Sequence, residues 1–227
     1  MKIACIGAHP DDVELSMGGT ILLLKDLGHE ILLIDLTNGE PTPFGSPETR
    51  KEESKKSAEL LGAKRITLDG KNRYLLDDIK LRKQLANVFR EFQPEILFTH
   101  YEFDVHPDHI GACQITQAAR FYSKLTKCDL VGNSFFPSHI IYFFPNHVHI
   151  NLLPSFCIDI SNYIQKKRKV LESYVSQFIK KGNGAVIEQA IEVNRYFGIR
   201  INKQYAEPFF IRDSLDLNFY SKLLQKQ

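Results

Sequence analysis

The stretch "KIACIGAHPDDVELSMGG", residues 2–19, decides how the rest of the chain is read. Its first part is a continuous apolar run of strand length, followed directly by a histidine, three acidic residues and a glycine pair. An apolar strand without alternation is buried on both faces, the habit of a parallel sheet covered by helices. Working outward, similar runs alternate with segments of helical period: "TILLLKDLG", "EILLIDLT", "ETRKEESKKSAELLG", "RITLD", "DDIKLRKQLANVFREF" and "EILFTH". That order is βαβαβαβ. It predicts a Rossmann-like α/β fold: a three-layer α/β/α sandwich on a mostly parallel sheet, with right-handed crossovers.

Local signals punctuate this pattern. Gly28 and Gly62 stand where helices should stop, and Pro94 separates "DDIKLRKQLANVFREF" from the strand that follows. Ser46 before Pro47 is a good helix start, and Thr49 with Glu52 offers an overlapping capping box. The preceding loop, "TNGEPTPFGSP", is polar and rich in turn formers, as binding loops at strand ends often are. Beyond residue 125 the pattern predicts strands at "HIIYFF" and "FCIDI", a helix over about 162–178 and a glycine-interrupted stretch "KKGNGA". The tail "SLDLNFYSKLL" reads as a terminal helix or as a mixture of strand and helix.

With 227 residues, 43% of them hydrophobic, the chain fits one domain spanning 1–227 with a sizeable core. A net charge of +2 gives no reason to expect a nucleic-acid partner. No run approaches the roughly 20 apolar residues that span a bilayer, so no membrane insertion is expected. The four cysteines (Cys5, Cys113, Cys128, Cys157) lie far apart without a CxxC spacing, which fits buried thiols in a reducing cytoplasm. The expected partner is a small molecule.

In a parallel sheet, ligands bind outside the carboxyl ends of the strands, where "AHPDD" falls. A dinucleotide fingerprint would occupy the same place, but this segment has no GxGxxG and sets carboxylates where a pyrophosphate needs bare N–H groups. A second cluster, "HYEFDVHPDH", follows the strand "EILFTH" and repeats the vocabulary with His106, Pro107, Asp108 and His109. Imidazole with carboxylate suits zinc, and three protein ligands with one open position make the usual catalytic site. His9 and Asp12, three apart, are expected on one side of a helical turn, with His109 completing the set and Asp11 projecting elsewhere. Zn2+ so held brings the pKa of bound water to about 7 and polarises a carbonyl. Asp11 is then the expected general base, and His106, oriented by Asp108, an acid or oxyanion stabiliser. Either cluster alone is ambiguous, since HPDD also reads as a capped helix start.

These residues carry a resemblance. The segments "AHPDDVELSMGG" and "HPDH" resemble the two signatures of the PIG-L/LmbE-like deacetylases, zinc enzymes that remove acetyl groups from N-acetylglucosaminyl conjugates. "DLTNGE", "ETRKEESKKSAELLG", "FCIDIS", "SQF" and "YAEPF" look most like the bacillithiol-biosynthesis deacetylases, which act on glucosaminyl-malate precursors. The resemblance implies His9, Asp12 and His109 as zinc ligands, Asp11 as base, His106 and Asp108 as a supporting pair, and Arg50 as a substrate contact. It also implies an oxyanion-stabilising tyrosine, for which Tyr196 in "NRYFG" is the candidate, and a homo-oligomer. Tyr174 in "ESYVSQF" stands where many relatives carry histidine. The substrate class is an amino-sugar conjugate, with other amino-sugar or lipid-linked conjugates as alternatives. A non-catalytic sugar-binding module and a nucleotide-using transferase on the same scaffold are the competing functions.

Other residues have two readings each. Arg50 opens a predicted helix, where a cation opposes the helix dipole, and that conflict favours a functional role. Gly18 and Gly19 either let backbone pass near the metal loop or loosen a helix start. Glu14 either meets a sugar hydroxyl, as a substrate-binding residue, or a backbone amide. His147 and His149 would share one face of an extended segment and invite a second metal, although a loop role suits them better. "KKRK", 166–169, lies in an amphipathic window with Ile164, Val170 and Leu171 and is expected to be a solvated face.

Overall fold

Apolar residues run without a break from Ile3 to Ile6, and the strand they form, β1 (Lys2–Gly7), lies in the middle of the sheet. The computed structural model describes residues 1–145, 152–214 and 216–226, so His147 and His149 lie outside the described residues. From β1 the chain proceeds through α1 (Asp12–Asp26), β2 (Glu30–Thr37), α2 (Pro47–Leu61), β3 (Lys64–Gly70), α3 (Ile79–Phe92), β4 (Ile96–His100), α4 (Pro107–Ser123) and β5 (His139–Phe143). There follow β6 (Phe156–Asp159), α5 (Ile164–Glu172), a π-helical turn Val175–Ile179, the single turn α6 (Lys180–Gly182), α7 (Ala185–Arg200), β7 (Ala206–Phe210) and α8 (Leu217–Leu223).

The sheet order is β3-β2-β1-β4-β5-β7-β6. β1 pairs in parallel with β2 on one side and β4 on the other, β3 and β5 extend the parallel set, and only β7 runs antiparallel to its neighbours β5 and β6. Two apolar clusters cover the faces, one centred on Ile21, Leu33, Phe98, Phe143 and Leu171, the other on Ile6, Leu85, Phe89, Ala112 and Ile115. This is the three-layer α/β arrangement the alternating pattern predicts. Because β2 and β4 leave β1 on opposite sides, a crevice opens at the carboxyl ends of β1 and β4, the usual ligand position in open α/β sheets.

The amino-terminal half matches its sequence signals closely. Ser46 caps α2 by accepting from Thr49 N–H at 3.2 Å with Pro47 in the first turn, and Gly62 closes that helix at φ 64°. The carboxyl-terminal third departs from the reading in two places and settles one alternative. The helix expected over 162–178 is broken after Glu172, and a π turn takes over at Val175. The tail resolves as the helix α8, capped by Asp216. β7 was hidden in "AEPFF", which places a proline and a buried glutamate in a five-residue strand, an uncommon pattern for a strand between two others. Pro208 is tolerated because β5 pairs only with Phe209 and Phe210.

The largest correction concerns "KKRK". Lys167 is fully buried, and its Nζ donates to Leu15 O (2.8 Å), Asn194 Oδ1 (2.8 Å) and Glu207 Oε1 (2.6 Å). Glu207 also receives the N–H groups of Gly19 (2.9 Å) and Thr20 (2.6 Å). Those amides are free because α1 is kinked at Met17 (φ −142°, ψ 21°), so a new helical start lies inside it. Gly19 is required by packing, not by the metal loop: a Cβ there would stand 2.7 Å from Ile160 Cδ1. Among the described residues no helix is long and apolar enough to cross a membrane.

Candidate metal centre and active site

The chain leaves β1 at Gly7 and turns sharply before α1. His9 N–H donates to Asp12 Oδ2 (2.8 Å), and Asp11, the residue before the helix, takes φ 112°. His9 and Asp12 are thus joined by a tight turn, not by the helical turn expected from their spacing, since His9 precedes the helix. A non-glycine residue at such φ is costly and persists only where its surroundings hold it. Arg50, from the first turn of α2, supplies that hold: its Nη2 donates to Pro10 O (2.5 Å) and to Asp11 Oδ2 (2.7 Å).

Across the crevice, Pro107 opens α4 and His106 caps it, its Nδ1 accepting from Asp108 N–H at 3.2 Å. The first turn of α4 brings His109 against Asp12, Nε2 to Oδ1 at 3.2 Å, while His9 Nδ1 lies 3.3 Å from Asp12 Oδ2. His9, Asp12 and His109 are all buried, with ligand atoms within 4.8 Å of one another. Zinc–ligand bonds of about 2.0–2.1 Å arranged tetrahedrally separate neighbouring ligand atoms by about 3.4 Å, close to these contacts. The donor set, two imidazoles and a carboxylate, also fits zinc.

Each imidazole is held from behind by a carboxylate. His9 Nε2 meets Asp108 Oδ2 (3.1 Å), and His109 Nδ1 meets Asp104 Oδ2 (2.8 Å). Asp108 is itself fixed by the N–H groups of Arg73 (2.6 Å) and Leu75 (3.1 Å), and Asp104 by that of His106 (2.9 Å). This is the arrangement that orients metal-binding histidines. Sequence reasoning assigned Asp108 to His106, whereas the structure turns its carboxylate to His9. It missed Asp104 and His100 altogether. His100, the last residue of β4, places Nε2 3.1 Å from Asp12 Oδ2 and stacks on His109.

The electrostatics follow from this crowding. Burial opposes ionisation of Asp12, but the imidazoles of His109, His100 and His9 hold its carboxyl well below the usual range. Burial also works against charge on His9 and His109; Asp12, with Asp108 for one and Asp104 for the other, outweighs it and raises them to about 10 and about 9. His100 goes the other way, to about 4, through burial and the nearby His109. Burial pushes Asp11 up to about 7 against the pull of Arg50. A carboxyl near neutrality beside a ligand set is well matched to proton transfer.

Glu14, read as a possible sugar contact, is instead sealed in the interior: its Oε1 receives Arg65 Nη1 (2.6 Å), Tyr174 Oη (2.6 Å) and Ser57 Oγ. Tyr196 does not join the cluster. It is 56% exposed on α7, packed on Phe197 with its hydroxyl receiving Arg200, so its position lends no support to an oxyanion role. Arg50 is buried, and its Nε and Nη1 have no hydrogen-bond partner among the described residues. It lines a cavity of about 660 Å³ between α2 and β3, which reaches the metal loop at Pro10 and is otherwise walled by residues such as Lys51, Ser54, Ala58 and Ile66.

Residues 4–120 match the family described as PIG-L: GlcNAc-PI de-N-acetylase, a span holding both clusters. The chain belongs to the PIG-L family. By that membership it is an amidohydrolase. It is 30% identical over 192 residues to the diacetylchitobiose deacetylase of Thermococcus kodakarensis, covering 78% of this chain and 70% of that protein. It is 25% identical over 188 residues to the probable N-acetyl-alpha-D-glucosaminyl L-malate deacetylase 2 of Bacillus anthracis, covering 76% and 80%. Among solved structures, the conserved protein TT1542 of Thermus thermophilus superimposes with a TM-score of 0.87 at 32% identity, covering 94% of this chain and 95% of that one.

Proposed function

We propose that this PIG-L protein is a zinc-dependent N-deacetylase that hydrolyses the acetamide of an N-acetylglucosaminyl conjugate, releasing acetate and a free amine. The observation that carries the reading is the convergence of His9, Asp12 and His109 within 4.8 Å at the β1–β4 crevice, with Asp11 beside them. Zinc on these three residues would polarise the acetamide carbonyl and acidify water at the same point.

The chain's own groups supply the rest. Asp11, held by Arg50, takes a proton from the attacking water and returns it to the leaving nitrogen. His106, half-buried at the start of α4 with its ring 5.0 Å from that of His9, faces the developing oxyanion as a donor. Asp104 and Asp108 keep the ligand imidazoles oriented. The spare N–H groups of Arg50 suit an oxygen-rich substrate, and an acidic aglycone such as malate pairs well with a guanidinium. The similarity to a glucosaminyl-malate deacetylase supports that aglycone, and the similarity to a diacetylchitobiose deacetylase makes a chitobiose substrate the comparison to run.

The test is to load the purified protein with zinc and offer it N-acetylglucosaminyl malate, diacetylchitobiose and simple N-acetylglucosaminides. Free amine and acetate should appear in equal amounts, and a chelator should stop both. A protein that binds zinc at one equivalent yet releases neither product from any of them would overturn the reading in favour of a sugar-binding module.

A further inference from the structure

We infer that Tyr174 is a positioning residue for this chemistry: its ring braces the Arg50 guanidinium, and through Arg50 it holds Asp11 in place. The inference rests on the proposed role of Asp11 as the proton-transferring group.

Arg50 makes both of its hydrogen bonds through one atom, Nη2, to Pro10 O and Asp11 Oδ2. Its Nε and Nη1 have no hydrogen-bond partner among the described residues, so hydrogen bonding fixes one corner of the guanidinium and leaves its tilt free. The Tyr174 ring fills that role, with its centroid 5.6 Å from Arg50 Cζ. A cation over an aromatic face is held more strongly where both are desolvated, and here both are buried.

The ring is itself anchored at its far end and at its backbone. Its hydroxyl donates to Glu14 Oε1 at 2.6 Å, and Glu14 is fixed by Arg65, which is in turn held by Asp35 through Nε (2.7 Å) and Nη2 (2.6 Å). Two residues beyond the tyrosine, Ser176 donates from its N–H and its Oγ to the carboxylate of Glu53, each at 2.7 Å. Glu53 lies three residues after Arg50 and so shares its face of α2. The break after α5 and the start of the π turn therefore dock on α2 at two neighbouring points, a carboxylate and a guanidinium. Tyr174 is 0% exposed, so it does not touch substrate, and its contact toward Asp11 is Arg50.

The test separates ring from hydroxyl and brace from packing. Replacing Tyr174 with phenylalanine keeps the ring over Arg50, and kcat should stay within about twofold; Tyr174→Leu should lower kcat about tenfold, with zinc content unchanged. Phenylalanines of increasing ring fluorination at position 174 keep the shape while draining the ring's negative face, and kcat should fall stepwise along them, so the test survives if the leucine protein does not fold. In an Arg50→Gln background the loss caused by Tyr174→Leu should vanish, because the residue it acts through is gone. Equal losses for phenylalanine and leucine, a flat fluorination series, or an undiminished loss without Arg50 would each overturn the brace. An inert wild-type protein that binds zinc would instead overturn the reading of the site on which the brace depends, and is distinguishable because no variant is needed to see it.

Discussion

Two regions of this molecule bury charge around the same helix, and they do so in opposite ways. At the start of α1, Asp12 is surrounded by three imidazoles, and the site residues keep groups near the surface: His9 is 8% exposed, Asp11 8% and His106 half-buried. Beyond the kink in α1, Lys167 and Glu207 are both 0% exposed, and every hydrogen of the ammonium has an acceptor. The second network is closed: ammonium, carboxylate, amide side chain and helix N–H groups satisfy one another. The first is left with like charges side by side, including two imidazoles with raised pKa and a carboxyl lifted toward neutrality. A saturated, sealed network specifies a fold; a crowded one at a strand-end crevice is poised for a ligand.

The sharpest way to break that comparison is to change one charge in each region. Asp11→Asn should lower kcat by about 10²–10⁴-fold, the usual worth of a positioned proton-transfer group, while zinc content and thermal stability stay close to wild type. Acetate release with metal analysis checks it; an asparagine protein that keeps full activity would remove the proposed base. Lys167→Met should do the reverse, costing about 3–5 kcal/mol of stability because the Glu207 carboxylate is stranded in the interior. Chemical denaturation measures that cost, and the double replacement Lys167→Met with Glu207→Gln should recover part of it. If Lys167→Met proved neutral, the pair would not be the tie between α1, α5 and β7.

Within the metal half, the comparison can be refined residue by residue. Asp104→Asn should weaken zinc binding by about 10–100-fold without abolishing it, since Asp104 orients His109 rather than reaching the metal. Competition with a chromogenic chelator reads the change. An unaltered affinity would mean that the first turn of α4 alone is enough to orient His109.

The difference between the regions also explains what was legible in the sequence. The parallel strands announced themselves because β1, β2 and β4 are buried along almost their whole length and so carry unbroken apolar runs. HPDD and HPDH were visible because the candidate ligands on each side of the crevice come from short, contiguous turns. Asp104 and His100 were not, because their roles depend on where a loop folds back and on a strand's last residue meeting its neighbour; only the proximity of Asp104 to "HPDH" hinted at it. Arg65 and Asp35 meet through sheet pairing, which no local pattern records. Lys167 was hidden by its companions. Ile164, Lys167 and Val170 fall three apart on one helical face, so spacing put the lysine on the apolar side, and the composition of "KKRK" masked it. The kink at Met17 that frees two amides for Glu207 had no clear signal, since Gly18 and Gly19 suit several roles.

The subtlest effect expected is a pH dependence whose sign depends on the metal. Without metal, His9 and His109 are held protonated by their carboxylate neighbours, to about 10 and about 9, against about 6.5 in an unfolded chain. A raised histidine pKa contributes stability that is full below pH 6.5 and is lost as pH rises through the folded values. The metal-free protein should therefore lose stability between about pH 6.5 and 10. His100 and His106, both shifted downward, contribute nothing above about pH 7, where they are neutral in either state. With zinc the order reverses: the ligand imidazoles must shed their protons to bind, so affinity, and with it the stabilisation, increases over the same range. Thermal unfolding of the two forms at pH 6.5 and 9 should move the melting temperature in opposite directions. If both forms moved together, His9 and His109 would not be the residues on which proton and metal compete, and the contrast with the sealed Lys167–Glu207 pair would lose its chemical basis.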